Sequence, residues 1–221
     1  MEANMQTNPL VHVDNISKSY GRTQILQNLS LKVEEESCVV IMGPSGSGKT
    51  TLLRLIAGLE VPDQGSIYLG DRLASDERFI MPPHLRRLGF VFQTPALWPH
   101  MTVKENISFG MEPDKNNGTK VLELLSRMKM EHLSERYPDQ LSGGEARRVS
   151  LARALAPRPK CILMDEPLTN LDYKLKSTLL ELINEIFTMD KLSLIFVTHD
   201  QGEAMAVQGK ILNLSQGTLI C

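Results

Sequence analysis

Residues Cys38 to Thr50 read CVVIM followed by GPSGSGKT. The first five are continuously apolar and β-branched at Val39, Val40 and Ile41, the pattern of a strand buried on both faces in a parallel sheet. Gly43 to Thr50 then has the spacing G-x-x-x-x-G-K-[ST], and Lys49 to Leu59 carries helical spacing at Leu52, Leu53 and Ile56. A strand that runs through a Gly-rich turn into a helix presents a curl of backbone amides at the helix start. Gly43, Gly46 and Gly48 let successive N–H groups turn inward toward phosphate oxygens. The helix adds unpaired N–H groups and the positive end of its dipole. Lys49 brings a point charge to the β- and γ-phosphates, and the Thr50 hydroxyl suits Mg²⁺, a hard cation. The candidate binding loop is Gly43, Pro44, Ser45, Gly46, Ser47, Gly48, Lys49, Thr50 and Thr51. Alone it points to a nucleoside triphosphate and little more.

A second stretch, Cys161 to Glu166, reads CILMDE, an apolar strand ending in two acids. Ligands bind where strands end at the carboxyl edge of a parallel sheet. Asp165 there is placed to hold Mg²⁺ directly or through water, and Glu166 to act as the base that polarises an attacking water. A third stretch, Leu141 to Glu145, reads LSGGE and opens a helix. Ser142 is a good N-cap, and Gly143 and Gly144 leave the first amides uncovered, so this is an anion site with no lysine of its own. One nucleotide rarely needs two phosphate cradles. The economical reading is that the second cradle serves the nucleotide of a second copy.

With these motifs in this order, the chain resembles an ATP-binding cassette (ABC) ATPase subunit, over about residues 10 to 221. The family's signature usually ends in Gln where Glu145 stands here. The resemblance implies that Tyr20, in SKSYG, stacks on adenine. It implies that Gln93, in VFQ, reaches Mg²⁺ and the attacking water and couples nucleotide state to the angle of the helical insertion. His199, at the end of an apolar run, matches the histidine that hydrogen-bonds the γ-phosphate. Asp172, after Asn170 and Leu171, matches the residue that contacts the opposite subunit. The implied catalytic set is Glu166, His199 and Gln93; the metal set is Thr50, Gln93 and Asp165. ATP is the implied substrate and Mg²⁺ the cofactor. Each of two composite sites takes Ser142, Gly143, Gly144, Glu145 and Asp172 from the other chain of a head-to-tail dimer, with ATP between them.

Length and charge bound what else the chain can be. Its 221 residues fit one large α/β domain or a core with one modest insertion. Lys plus Arg number 24 and Asp plus Glu 26, a formal charge of −2, so no global electrostatic case exists for nucleic-acid binding. An apolar share of 42% is too high for disorder. Three scattered cysteines (Cys38, Cys161, Cys221) make neither a disulfide framework nor a zinc site, and fit a reducing compartment. The longest apolar run, Cys38 to Met42, is five residues, against about 20 for a membrane span. No secretory signal stands at the N-terminus.

The wider pattern is that of a sheet core with a helical insertion. Met1 to Pro9 is polar and reads as frayed. Val11, Val13 and Ile16 share one side of a strand, and Leu26 to Val33 alternates. Gly65 to Leu69 and Leu88 to Phe92 are short strands. Thr102 to Gly110, Thr119 to Met130 and Ser142 to Ala156 read as helices, with a turn at Lys115 to Gly118. Strand Cys161 to Met164, a helix from about Leu175 to Phe187, strand Leu192 to Val197 and a hairpin around Gln216 and Gly217 close the chain. The expected fold is α/β, a P-loop NTPase core with a mixed, mostly parallel sheet, an N-terminal antiparallel β part and an inserted α-helical subdomain. Residues 1–93 and 159–221 form the core and 94–158 the insertion. Of the histidines, only His199 has a functional context; His12, His84, His100 and His132 read as surface.

Gln93 to Gly110 holds an apolar cluster, Ala96, Leu97, Trp98, Pro99 and Met101, inside a loop. In the family this region accepts a short helix of the membrane subunit, so Trp98 is either a packing residue or a contact residue. The wording MPPHLRRLGFVFQ and ALWPHMTVKENI is similar to importer ATPases for sugars, polyamines, iron or thiamine-like solutes. Many of those carry a C-terminal regulatory domain; ending at Cys221, the chain is expected to lack it, which leaves compact importers and small exporters open. The implied partners are a second copy, transmembrane permease subunits and a solute-binding protein reached through the complex, at the cytoplasmic face of the membrane, with no nucleic acid. Two alternatives remain open: a non-transport ABC ATPase, which generally needs coiled-coil arms or tandem cassettes, and a cassette that binds ATP without hydrolysing it, against which Glu166 and His199 both speak.

Overall fold

The computed structural model describes residues 9–220; the reading of the first residues as frayed, up to residue 8, and that of Cys221 lie outside them. Strands β1 (Val11–Tyr20) and β2 (Thr23–Val33) come first, then β3 (Cys38–Met42), the Gly-rich turn and helix α1 (Lys49–Ala57). Strands β4 (Gln64–Leu69), β5 (Arg72–Ser75) and β6 (Leu88–Val91) follow, then helices α2 (Val103–Ser108), α3 (Asn117–Arg127) and α4 (Gly143–Leu155). Strand β7 (Cys161–Asp165), helix α5 (Tyr173–Asp190), strand β8 (Ser193–Thr198) and helix α6 (Gln201–Ala206) lead to the hairpin β9 (Lys210–Ser215) and β10 (Thr218–Ile220).

Two sheets result. One is antiparallel, in the order β2-β1-β4-β5; the other is mixed, in the order β10-β9-β3-β8-β7-β6. In the mixed sheet β3 pairs in parallel with β8 and β9, and β7 in parallel with β6 and β8; only β10 runs antiparallel. Its central strands are apolar throughout because each face is covered. Val39, Ile41, Cys161, Leu163, Ile195 and Val197 point to a core shared with α1 and the antiparallel sheet. Their neighbours Val40, Ile162, Met164, Leu194 and Phe196 point to a second core shared with α2, α3, α4 and α5.

Both N-terminal strands contain a phase slip that simple alternation hides. Asn15 (φ 49°) and Asn28 (φ 44°) sit in the left-handed region, and the β1–β2 register shifts between Val13 and Ile16. These bulges let Ile16 join Val11 and Val13, and Leu29 join Leu26, in the core. Asn tolerates that conformation better than most residues.

The turn expected at Lys115 to Gly118 lies earlier. The Asn116 N–H donates to Asp114 Oδ1 at 3.0 Å, and Asn117 and Gly118 already belong to α3. Strand β5 was not expected, because Arg72-Leu-Ala-Ser is too short to show a period. Helix α5 starts two residues earlier and ends three later than its apolar spacing indicates, since the Asp172 carboxylate caps it by accepting from the Leu175 N–H at 3.0 Å.

Arg86 anchors α1. It is 4% exposed and makes no ion pair among the described residues, yet its fork donates to the Leu55 carbonyl at 3.2 Å, Ile56 at 2.8 Å, Ala74 at 2.8 Å and Met81 at 2.9 Å. It therefore satisfies carbonyls at the C-terminus of α1, where a cation also suits the dipole. Burial lowers its pKa to about 10, still well above neutrality. Arg86→Met removes the guanidinium donors of the Ile56 and Met81 carbonyls, while Leu55 and Ala74 keep only the backbone bonds from Gly58 and Met81. We expect a loss of roughly 3 kcal/mol, about 6–12 °C in Tm for a chain of this size. A thermal melt within about 1 °C of the parent would refute this role for Arg86.

A candidate nucleotide site at the carboxyl edge of the sheet

The register of the mixed sheet decides which residues meet. Met42 lies opposite Thr198, and Asp165 opposite Val197. The turns that follow β3, β7 and β8 therefore leave the same edge side by side, bringing the Gly-rich loop, Glu166 and His199 together.

Glu166 is the centre of the cluster. Its N–H donates to the Val197 carbonyl at 3.0 Å and its φ is 44°, a left-handed conformation that costs a non-glycine residue on the order of 1 kcal/mol or more. The turn aims its carboxylate back at the loop: Oε1 lies 3.4 Å from Lys49 Nζ and Oε2 3.1 Å from His199 Nδ1. Lys49 is buried and also donates to the carbonyls of Gly43 at 2.8 Å and Pro44 at 3.0 Å. Beside them the Thr50 hydroxyl donates to Asp165 Oδ1 at 3.0 Å. Burial pushes the pKa of Asp165 above the usual carboxylate range, and the Glu166 charge adds to this, while Thr50, Arg54 and Lys49 pull the other way.

The loop fits an anion. Helix α1 begins at Gly48 with no side-chain cap and no acid in its first turn, so its leading amides keep their capacity for phosphate oxygens. Gly46 (φ 79°) faces open space, whereas a Cβ on Gly48 (φ 101°) would meet Leu26 Cδ2 at 2.7 Å, so one glycine shapes the curl and the other lets β2 approach it. The buried Ser47 hydroxyl has no hydrogen-bond partner among the described residues. The Thr50 hydroxyl and the Asp165 carboxylate are a hard oxygen pair of the kind Mg²⁺ takes.

The structure thus brings Lys49, Thr50, Asp165, Glu166 and His199 into one bonded cluster. Other sequence-derived residues stand apart from it. Gln93 lies two residues beyond β6, exposed, and its side chain bonds none of the cluster; its carbonyl accepts from Arg147 Nη1 at 3.0 Å. Tyr20, at the end of β1, is 47% exposed and hydrogen-bonds Glu60 beside α1; burial raises its pKa, with the Glu60 bond adding to the effect. Ser142, Gly143, Gly144 and Glu145 form the start of α4, and Asp172 that of α5, with no hydrogen bond or ion pair to the cluster among the described residues.

The start of α4 is a capping box. The Ser142 N–H and hydroxyl both reach Glu145 Oε2 at 2.7 Å, and the Glu145 N–H returns to Ser142 Oγ at 3.3 Å. These two bonds from Ser142, backbone first, hold the Glu145 carboxyl below its usual range. Gly143 faces open space, but a Cβ on Gly144 would meet Leu175 Cδ2 at 2.7 Å, so Gly144 is needed for close packing on α5 as well as for an open amide.

Three residues escaped the sequence reading. Arg147 donates to the carbonyls of Gln93, Pro167 and Thr169; its only sequence signal is a position on the signature helix. Thr169 Oγ1 donates to the Glu166 carbonyl at 3.1 Å. Asn106 is fully buried, accepts from the Trp98 N–H at 2.8 Å and donates to the carbonyls of Trp98, Met101 and Thr102. It shapes the loop that leaves Trp98 44% exposed, with its ring 5.6 Å from that of Phe109. Among the histidines read as surface, His12 is half-buried, its ring 5.9 Å from Tyr68.

A family profile described as "ABC transporter" matches residues 26–169. The chain is 44% identical over 212 residues to a probable sulfate/thiosulfate import ATP-binding protein of Chlorella vulgaris, covering 94% of this chain and 88% of that protein. It is 43% identical to a sulfate/thiosulfate import ATP-binding protein of Halalkalibacterium halodurans, with 94% of this chain and 59% of that one covered. To a spermidine/putrescine import ATP-binding protein of Legionella pneumophila it is 40% identical, with coverage of 96% and 58%. The chain therefore spans about three fifths of the length of the last two. Among solved structures, a dimeric ABC cassette in a post-hydrolysis state bound to ADP and Pi superposes with a TM-score of 0.84 at 32% identity, covering 96% of this chain and 97% of that one. The cbiO1 protein of Clostridium perfringens, part of the ABC transporter complex cbiONQ, gives 0.86 at 26% identity, with coverage of 97% and 88%.

A raised pKa on Asp165 means that the folded state disfavours its charge. The penalty is fully present above the folded pKa and fades as pH falls through it toward the unfolded value. Asp165→Asn keeps an acceptor for Thr50 and removes the charge. We expect the nucleotide-free chain to melt higher at pH 7, on the order of 2–4 °C for about 1 kcal/mol, with the gap to the parent narrowing in acid. A lower Tm at pH 7 would show that the Asp165 charge stabilises the fold.

Proposed function

This chain belongs to the ABC transporter family, and from that premise we propose that it is an ATP-hydrolysing subunit that powers solute import through partner membrane permeases. The reading is carried by the Glu166 carboxylate, held between Lys49 and His199 beside the Thr50–Asp165 contact. Tyr20 stacks on adenine, and the amides of Gly43 to Thr51 with Lys49 hold the phosphates. Glu166 accepts the proton of the attacking water. His199 faces Glu166 through Nδ1, which leaves its other ring nitrogen for the γ-phosphate. Mg²⁺, held by Thr50, Asp165 and Gln93, supplies charge neutralisation on the phosphate oxygens when bound.

A second copy completes each site with Ser142, Gly143, Gly144, Glu145 and Asp172, so that closure of the pair depends on ATP. Residues 94–158 are the part that moves against the core formed by 1–93 and 159–221, and the exposed Trp98–Phe109 pair faces the permease. The names of the relatives support import and a place at the cytoplasmic face of the membrane, where a solute-binding protein would join through the permease. Among the described residues no helix is long and apolar enough to cross a bilayer, so this placement depends on the partner.

Glu166→Gln should retain ATP binding, slow phosphate release by roughly 10²–10⁴ and accumulate an ATP-bound dimer seen by light scattering. Parental turnover in that variant would remove Glu166 from the role of base. The same variant, used with ATP to capture partners from detergent-solubilised membranes, should recover a polytopic membrane protein in stoichiometric yield; recovery of soluble partners alone would end the transport reading.

A further inference from the structure

Helix α4 is tied to two loops by arginines that make no ion pair among the described residues. Arg147 Nη1 donates to the Gln93 carbonyl at 3.0 Å and to the Pro167 carbonyl at 2.5 Å, and Nη2 donates to the Thr169 carbonyl. Arg153, farther along the helix, donates to the carbonyls of Ala96 at 2.8 Å and Pro95 at 3.0 Å. The first loop carries Gln93 and leads to Trp98. The second follows Glu166 directly, and Thr169 turns back onto it. The opposite end of the connection is the Ser142–Glu145 cap on the same helix.

Packing does not define this junction by itself. A cavity of about 20 Å³ is lined by Arg147 with Val91, Pro95, Ser150, Pro167 and Leu168, and the buried Ser150 hydroxyl has no partner among the described residues. Apolar contact across this seam is non-directional and does not by itself set the orientation of the loops. Directional bonds from one rigid fork do: three carbonyls from two loops converge on one planar group, a geometry that a lysine ammonium on a flexible stem reproduces poorly.

We propose that Arg147 is the positioning residue that makes the Glu166 loop, the Gln93 loop and the start of α4 move as one unit, so that a chain's own nucleotide site and the cradle it offers to a second copy are mechanically linked. The proposal rests on the reading of the site given above. Arg147 touches no reacting atom in it; it acts through the backbone of the residues beside Glu166 and at Gln93.

The chain's single tryptophan reports the linkage, because Trp98 lies on the loop that Arg147 and Arg153 hold. The test compares the full chain with Arg147→Lys and Arg147→Met by calorimetric ATP titration, Trp98 emission against MgATP, steady-state hydrolysis and thermal melting. In the unsubstituted chain MgATP should shift Trp98 emission. In Arg147→Met, ATP affinity should stay within about threefold while kcat falls about 10–100-fold, the Hill coefficient falls to one, and the Trp98 response is lost. Arg147→Lys should be intermediate.

A parental kcat and Trp98 response in either folded variant overturns the proposal, as does an unsubstituted chain whose Trp98 is blind to MgATP. If Arg147→Met does not fold, Arg147→Lys decides by the same readouts; if affinity, kcat and Tm fall together in Lys, the role is structural and the proposal fails. An unsubstituted chain that binds no ATP or hydrolyses none refutes the parent reading first, and this one with it.

Discussion

The parallel pairing of β7, β8 and β3 sets the conditions for everything around it. Parallel neighbours end at the same edge, and here the register puts Asp165 against Val197 and Met42 against Thr198. A one-residue slip in any pair would turn every side chain of that strand to the other face. It would exchange the residues of the two cores and carry Glu166 away from Lys49. The continuous apolar strands, with helices over one face and α1 and a second sheet over the other, resist that slip because both faces are committed.

The edge itself works against stability. It holds a carboxylate that burial disfavours, a buried lysine whose nearest acid is 3.4 Å away, and a glutamate in a left-handed turn. Such groups persist where the surroundings over-determine them. Arg86 and Arg147 show two uses of one device, a guanidinium spread over backbone carbonyls with no ion pair among the described residues. Arg86 is almost wholly enclosed and locks the end of α1. Arg147 spans a seam and lines a cavity in it, between elements whose relative motion the proposed mechanism requires.

What the sequence reveals of the molecule follows the range of the interactions. The Gly-rich loop, the acidic strand end and the Ser142 cap are readable because their chemistry lies within a few consecutive residues. Glu166, Lys49 and His199 are far apart in the chain, yet the order of motifs along a parallel sheet brings them together in expectation, and the contacts agree. The bulges at Asn15 and Asn28 are not legible as a period, since each strand contains two phases joined at one residue. Strand β5 is too short to have a period at all. Gln93 is legible as a motif residue, but its carbonyl contact with Arg147 depends on a helix 54 positions away. Arg147 and Asn106 bond backbone oxygens, which every residue possesses, so no partner residue type marks either of them.

The capping box of α4 has one more implication. The helix end expected to meet a phosphate already carries an anion of its own, the Glu145 carboxylate, at the point where the dipole is strongest. That carboxylate bonds the Ser142 N–H and hydroxyl, not the amides of Gly143 and Gly144. A glutamine there would leave that terminus electrostatically bare. The start of α4 is thus a pair of open glycine amides beside a fixed negative charge, so an arriving anion meets attraction and repulsion a few ångströms apart.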